Sequence, residues 1–252
     1  MHHGLWDTGD ERPEEAAEAL ARHVAGALRV GPGDHACDVG CGYGGTARLV
    51  AREHGADVTA VTITPAQHAF AVAVDPLAGN PRYLLRDWLD NGLPDRSFDA
   101  AFAIESTEHM ADKGRCFGEM ARVLVPGGRV VVCAWIASET ARPAEHRFLL
   151  EPICREGRLP GMGTEAEYRR LMEEAGIEVH HADDLSARVI RTWPVCIGRL
   201  ARALATRADY RRFLLRSGAV DRIFAVTMLR IWLAYRTGAM RYVVFRGERA
   251  AA

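Results

Sequence analysis

Apolar positions in the first 140 residues fall into short runs that alternate with helical patterns. His35–Val39 reads as a strand that ends at a glycine cluster, and Thr46–Glu53 as the helix after it. Asp57–Thr62 is a second strand, followed by a helix from Pro65 to about Val74, and Arg82–Arg86 is a short third strand. Phe98–Ile104 is apolar apart from Asp99, as expected of a strand covered on both faces. A helix over Lys113–Leu124 is stopped by Val125-Pro126-Gly127-Gly128, and Arg129–Trp135 follows as a fifth, buried strand. Strands alternating with helices predict βαβ units and a parallel sheet with helices on both sides.

After Trp135 the rhythm changes. Helices near Pro143–Arg155 and Thr164–Ala175 lead into a strand at Ile177–His181. A long helical stretch from Pro194 to about Thr237 then precedes a last strand, Arg241–Arg246. The pattern divides one elaborated α/β domain into an N-terminal helical cap (1–30), a core (31–140), a helical lid region (141–240) interleaved with the strand at 177–181, and a final core strand (241–247).

A chain of 252 residues can bury a sizeable core without staples, and 48% hydrophobic against 26% charged residues is ordinary for a globular protein. Six scattered cysteines form no CxxC pair, which argues against a disulfide framework or a zinc site and favours a reducing compartment. The polar start, Met1 to Glu15, does not read as a signal peptide, so a cytoplasmic protein is expected. The net charge of −1 hides an asymmetry: from Ser186 onward 14 arginines face three carboxylates, a net +11, and the preceding chain carries −12. Such a basic segment suits either solvated helix faces docked on an acidic body or contact with anionic partners.

The sharpest chemical feature is Asp38-Val39-Gly40-Cys41-Gly42-Tyr43-Gly44-Gly45, a strand running through glycines into a helix. Such a turn brings a ligand against backbone amides at the helix start. Its spacing also fits GxGxxG through Gly40, Gly42 and Gly45, so a dinucleotide-binding oxidoreductase enters consideration. Two features point elsewhere. Asp38 enters the turn, and the second strand runs out through Thr62-Ile63-Thr64 without the ribose-binding acid. A carboxylate there suits a ligand with a cationic end, such as the ammonium and sulfonium of S-adenosylmethionine.

Together DVGCGYGG (38–45), VTAVTITPAQ (58–67), RDW (86–88), AIESTEHM (103–110) and RVLVPGGRVVVCAW (122–135) resemble the class I S-adenosylmethionine-dependent methyltransferases. Within them the chain is similar to the branch of tocopherol, sterol and coclaurine-type small-molecule enzymes, including a His-x-Gly-x-Trp start at His3-Gly4-Leu5-Trp6. The resemblance implies an α/β, Rossmann-like, doubly wound and mostly parallel sheet of seven strands, the last antiparallel, with helical lid insertions. It also implies S-adenosyl-L-methionine as cofactor and S-adenosyl-L-homocysteine as product. Gly40, Cys41 and Gly42 would line the methionine end with Asp38 beneath, and Thr62 and Ile63 would face ribose and adenine. Gln67 would bond the ribose hydroxyls, although Thr64-Pro65-Ala66-Gln67 also reads as a capping box. Asp87 and Trp88 would meet the adenine amine and ring face, with ordinary packing as the other reading of Trp88.

Glu105, Glu108 and His109 follow the fourth strand, at the sheet edge where ligands of open α/β folds bind. Methyl transfer needs in-line positioning, exclusion of water and removal of a proton, and a histidine oriented by a carboxylate suits the last task. The resemblance carries acid–base roles onto Glu108 and His109, facing the substrate, and places Glu105 near the methionine end. An exposed first helical turn is the other reading of Glu108 and His109.

The stretch Ala219–Ala239 is largely apolar but interrupted by Arg222, Arg230 and Arg236, so a membrane span is not expected. It reads as an amphipathic helix over the pocket. Phe224, Trp232 and Tyr235, together with Trp6 and Trp135, are the expected apolar walls for a small hydrophobic acceptor. Peripheral contact with a lipid surface is the sharper reading of the same helix. No nucleic-acid-reading module accompanies the charge, and a monomer or homodimer is expected. A nicotinamide oxidoreductase and a non-catalytic cofactor-binding module stay open as alternatives to a methyltransferase.

Overall fold

A computed structural model describes residues 2–74, 79–215 and 220–251, with side-chain environments outside 213–225. Seven strands form one sheet: β1 (His35–Val39), β2 (Asp57–Thr62), β3 (Arg82–Leu85), β4 (Phe98–Ile104), β5 (Leu124–Ala137), β6 (Ile177–Asp184) and β7 (Met240–Arg249). Their spatial order is β3-β2-β1-β4-β5-β7-β6. β1 to β5 pair in parallel, while β7 runs antiparallel between β5 and β6. The chain reverses its winding between the neighbours β1 and β4, which opens a crevice at their carboxyl ends.

The helices are α1 (Pro13–Leu28), α2 (Gly45–His54), α3 (Pro65–Val74), α4 (Lys113–Val123), α5 (Pro143–Glu145), α6 (Glu151–Gly157), α7 (Glu165–Glu174), α8 (Ser186–Val189), α9 (Thr192–Thr206), α10 (Ala208–Leu215) and α11 (Val220–Thr237). Alternation along the strands divides the core into two layers, as a period of two requires. Ala36, Val58, Phe102, Val131 and Val244 point to one face, where they meet Leu20, Val24 and Leu28 of α1 and Val50 of α2. Cys37, Val61, Ala101, Val132 and Phe245 point to the other, against Phe117 and Met120 of α4 and Tyr168 and Met172 of α7.

Three expectations are corrected. Residues before Pro13 are not helical: they form an extended strap, in which Leu5 N–H donates to Ala16 O (2.8 Å) and Trp6 N–H to Arg188 O (2.9 Å). The Pro126-Gly127-Gly128 cluster ends α4 but lies inside β5, because Leu124 already pairs with Phe98 and the register then shifts. Gly127, at φ 75°, accommodates that irregularity without a side-chain clash. The helical stretch from Pro194 to Thr237 comprises, among the described residues, α9, α10 and α11, with α9 closed by extended Arg207. β6 also runs three residues beyond His181, because Ala182, Asp183 and Asp184 keep pairing with β7.

Candidate active site

The crevice between β1 and β4 holds a cavity of about 680 Å³. Of the residues singled out above, Asp38, Gly40, Cys41, Gly42, Thr62, Ile63, Gln67, Asp87, Trp88, Glu105, His109 and Trp135 line it. Fold and motif converge because each of these positions ends a parallel strand or begins the connection after it.

At the β1 turn, Gly40 has φ 80°, and a Cβ there would lie 2.4 Å from the Ser106 Cβ. The approach is that close because the Ser106 hydroxyl donates to Val39 O (2.5 Å), stitching the end of β4 to the end of β1. Beneath the turn, Asp38 is buried and its Oδ2 has no partner. Burial pushes its carboxyl up to about 8, only partly opposed by a hydrogen bond from the Ala47 backbone. An orphaned buried carboxyl aimed at a cavity fits a ligand that brings its own cation and hydrogen-bond donor, which the ammonium of S-adenosylmethionine supplies.

Along the β2 and β3 ends, the Thr62 hydroxyl donates to Gln67 Oε1 (3.1 Å), which leaves the amide N–H groups of Gln67 for a ligand. Ile63 is 66% exposed at the mouth. Asp87 Oδ1 accepts from Leu89 N–H (2.9 Å) and caps a turn over Trp88–Asp90. Trp88 does two things: it packs in the second core layer, with Nε1–H donating to Cys116 O (3.1 Å), and it contributes to the cavity wall.

The β4 end separates three residues that sequence had grouped. Glu105 adopts φ 52°, a left-handed conformation that a non-glycine residue holds only when its surroundings enforce it. Its Oε1 accepts from the His3 backbone N–H (2.7 Å), from His3 Nδ1 (2.9 Å) and from the Tyr242 hydroxyl (3.0 Å). Trp193 Nε1–H donates to His3 Nε2 (2.9 Å), so the His3 proton sits on Nδ1, facing Glu105. Burial alone would raise the Glu105 carboxyl, but the electrostatic pull of His3 and its hydrogen bonds outweigh it and hold the group down to about 2.

Glu108 does not face the cavity. It is fully buried, its Oε1 accepts from the Trp135 N–H (2.7 Å), and burial pushes its carboxyl up to about 8. The physical reason is the short helical turn Thr107–His109, which rotates Glu108 inward toward β5 and His109 outward. His109 is exposed to the cavity, and its imidazole is lowered by burial against an opposing pull from Glu105, which leaves a neutral base at pH 7.

Trp6, Trp232 and Tyr235 also stand apart from the cavity wall. Trp6 Nε1–H donates to Thr192 Oγ1 (3.0 Å) and ties the strap to α9. The Tyr235 hydroxyl lies 3.3 Å from His3 Nε2, and Trp232 is half-buried beneath Arg236. All three hold the roof together behind the cavity. The Phe224 side chain lies outside the described residues.

Sequence reasoning missed His2, which lines the cavity. Its Nδ1 lies 2.8 Å from His3 O, and because a carbonyl only accepts, Nδ1 carries the proton and Nε2 keeps its lone pair. Burial also lowers this imidazole, against the pull of Glu105. Two neutral imidazoles therefore flank one fixed carboxylate. The signal was the adjacent pair His2-His3, of which only the second matched a pattern. Among the described residues no group of three or more His, Cys, Asp or Glu side chains could hold a metal ion.

Residues 37–132 match the family model described as a methyltransferase domain. The chain is 30% identical over 269 residues to the chloroplastic tocopherol O-methyltransferase of Arabidopsis thaliana, covering 99% of this chain and 76% of that protein. It is 32% identical over 204 residues to the 27-O-demethylrifamycin SV methyltransferase of Amycolatopsis mediterranei, covering 77% and 72%. Among solved structures, it superimposes with a TM-score of 0.75 on geranyl diphosphate C-methyltransferase from Streptomyces coelicolor A3(2), solved with Mg2+, geranyl diphosphate and S-adenosyl-L-homocysteine. That pair is 22% identical over 99% of this chain and 89% of the other, a likeness of fold.

Proposed function

Because this chain belongs to the class I S-adenosylmethionine-dependent small-molecule methyltransferases, we propose that its cavity transfers a methyl group to a small, largely apolar metabolite of phenolic, isoprenoid or alkaloid-like character, with carbon the favoured acceptor atom. The observation that carries this reading is the division of one cavity into an end with an orphaned carboxyl, Asp38, and an end with two neutral imidazoles, His109 and His2, beside Met110, Ile104 and Trp135. The relatives reported above are named for tocopherol and for 27-O-demethylrifamycin SV as substrates.

The cofactor supplies an already reactive methyl group on a positively charged sulfur. The protein's share is binding, orientation and proton handling. Asp38 would give up its proton to meet the ammonium, the Gly42 amide would face the carboxylate while the Gly40 and Cys41 N–H groups hold the turn on Val61 O, and Gln67 would reach the ribose. Glu105, immobilised as a carboxylate, favours positive charge at the transfer end. His109 Nδ1 or Nε2 would take the acceptor's proton, a task worth about 10²–10⁴ in rate for a positioned base. Glu108, buried and protonated at neutral pH, holds the Trp135 backbone in place instead.

Calorimetric titration with S-adenosylhomocysteine, followed by mass spectrometry of phenolic, isoprenoid and alkaloid acceptors, tests the reading. Gain of one methyl group on a ring or chain carbon supports it. Gain on nitrogen or oxygen corrects the atom, and binding without transfer to any apolar acceptor overturns the acceptor class.

A further inference from the structure

The helices α9 to α11 present a surface that the cavity does not use. On α11, Val226, Leu229 and Leu233 are 46%, 46% and 43% exposed, and their spacing of three and four puts them on one face. The turn His146–Leu150 packs against α11 and carries Phe148, 64% exposed, with the Arg147 guanidinium 5.4 Å from its ring. Exposed Tyr210 of α10 lies under Arg207 in the same way, at 4.6 Å.

Arginines stand on the same three helices. Arg202, Arg211, Arg212 and Arg236 are exposed and form no ion pair among the described residues, whereas Arg22, Arg122 and Arg241 elsewhere are each held by two carboxylates. Arg188, Arg199, Arg230, Arg241 and Arg246 of the segment from Ser186 onward pair with carboxylates of the acidic body, so only part of its excess charge, carried by Arg202, Arg211, Arg212 and Arg236, is left unconsumed. That part stays at the surface beside an exposed apolar stripe.

We propose that α9, α10 and α11 form a docking face for an anionic lipid bilayer, with Val226, Leu229, Leu233 and Phe148 entering the interface and the unpaired arginines meeting lipid headgroups. Charge complementarity selects this occupant. A second copy of the chain seated on the same face would bring like charges together, and a nucleic acid would leave the aliphatic stripe in water. Contact is peripheral, since no helix among the described residues is long and apolar enough to cross a membrane. The opposite charges of roof and body would orient the molecule roof-first toward a negative surface. The proposal goes beyond the methyl-transfer reading and does not depend on which acceptor is used.

Vesicle flotation of the full chain provides the test, using phosphatidylcholine alone and phosphatidylcholine with about one third phosphatidylglycerol. The expected result is at least about tenfold stronger partition onto the anionic vesicles at low salt, falling steeply when the Debye length is shortened to about 3 Å at 1 M salt. Leu229→Ser with Leu233→Ser, and separately Arg202→Glu with Arg211→Glu, should each lower partition about tenfold. Affinity for S-adenosylhomocysteine should stay unchanged in both, which verifies folding and keeps a failure of this face distinct from a failure of the acceptor assignment. Equal or absent partition on the two vesicle types overturns the proposal. So does partition indifferent to both variants, or a dimer that the leucine substitutions dissociate without any vesicle binding.

Discussion

The ends of β1 and β4 are neighbours in the sheet, joined through the Ser106–Val39 hydrogen bond, yet they treat buried carboxyl groups in opposite ways. Asp38, at the end of β1, has an unpartnered oxygen and a carboxyl raised to about 8 by burial. Glu105, one residue past β4, is equally enclosed but is held at about 2 by His3 and carries three hydrogen bonds. The first site is incomplete by itself and is finished by a cationic ligand. The second is finished by the protein's own N-terminal strap. One cavity thus joins an end that gains from binding to an end already organised, an arrangement suited to holding a cofactor on one side and reacting on the other.

The largest expected effect breaks the first half of that contrast. Asp38→Ala removes the only buried carboxyl that the ligand's ammonium would meet, and the affinity for S-adenosylhomocysteine should fall about 100-fold or more, read by calorimetry. The proton on Asp38 provides a second measurement. Below about pH 8 binding must release it, so affinity should rise toward tenfold per pH unit and level off above. The unliganded protein should show the opposite trend. A carboxyl raised in the folded state binds its proton more tightly than in the unfolded chain, so stability is full below the ordinary carboxyl range and declines as pH climbs to about 8. Asp38→Asn should flatten part of that decline in urea unfolding.

Next in size is His109→Ala. Turnover should drop about 100-fold while the cofactor affinity stays within about threefold, because the imidazole lines the transfer end and touches no part of the Asp38 turn. His3→Ala attacks the organised end from behind. With the imidazole lost, Glu105 is a carboxylate short of the hydrogen bond from His3 Nδ1, while the backbone N–H of residue 3 and the Tyr242 hydroxyl still donate, and stability should fall by about 1–3 kcal/mol. The sign of the pH dependence separates this site from Asp38. Glu105 is depressed, so its contribution is present above the ordinary carboxyl range and disappears as pH falls toward 2, and His3→Ala should remove that acid-side loss.

Much of the first end was legible in the sequence because local constraints write it there. Gly40 is dictated by φ 80° and by Ser106 at its shoulder, and Asp38 by its place two residues earlier on the strand. The parallel sheet followed from apolar runs such as Ala100–Ile104. The second end resisted because its partners are remote. His3, Trp193, Tyr235 and Tyr242 meet around Glu105 through hydrogen bonds that span 102 to 232 residues of sequence, and no spacing rule connects them. The aromatic residues assigned to the acceptor had the right composition for a pocket wall. Trp6, itself in the strap, nevertheless turned toward Thr192 of α9, and Tyr235 toward His3 of the strap, because each could satisfy its polar atom there.

Glu108 is where the contrast is sharpened most finely, and the expected effect is the smallest. Spacing grouped it with His109 as an acid–base pair, whereas the turn Thr107–His109 sends its carboxyl into the core against the Trp135 amide. At neutral pH a carboxyl raised to about 8 is protonated, and a glutamine side chain reproduces both its acceptor oxygen and its lack of charge. Glu108→Gln should therefore leave turnover within about threefold, where loss of a positioned base costs about 10²–10⁴. The same substitution should make the unliganded protein less sensitive to alkali, since no buried carboxylate has to form as pH passes 8. A loss of turnover comparable to that of His109→Ala, with cofactor affinity intact, would instead show that the carboxyl swings out to the cavity during reaction, and that the β4 end is less rigid than its hydrogen bonds imply.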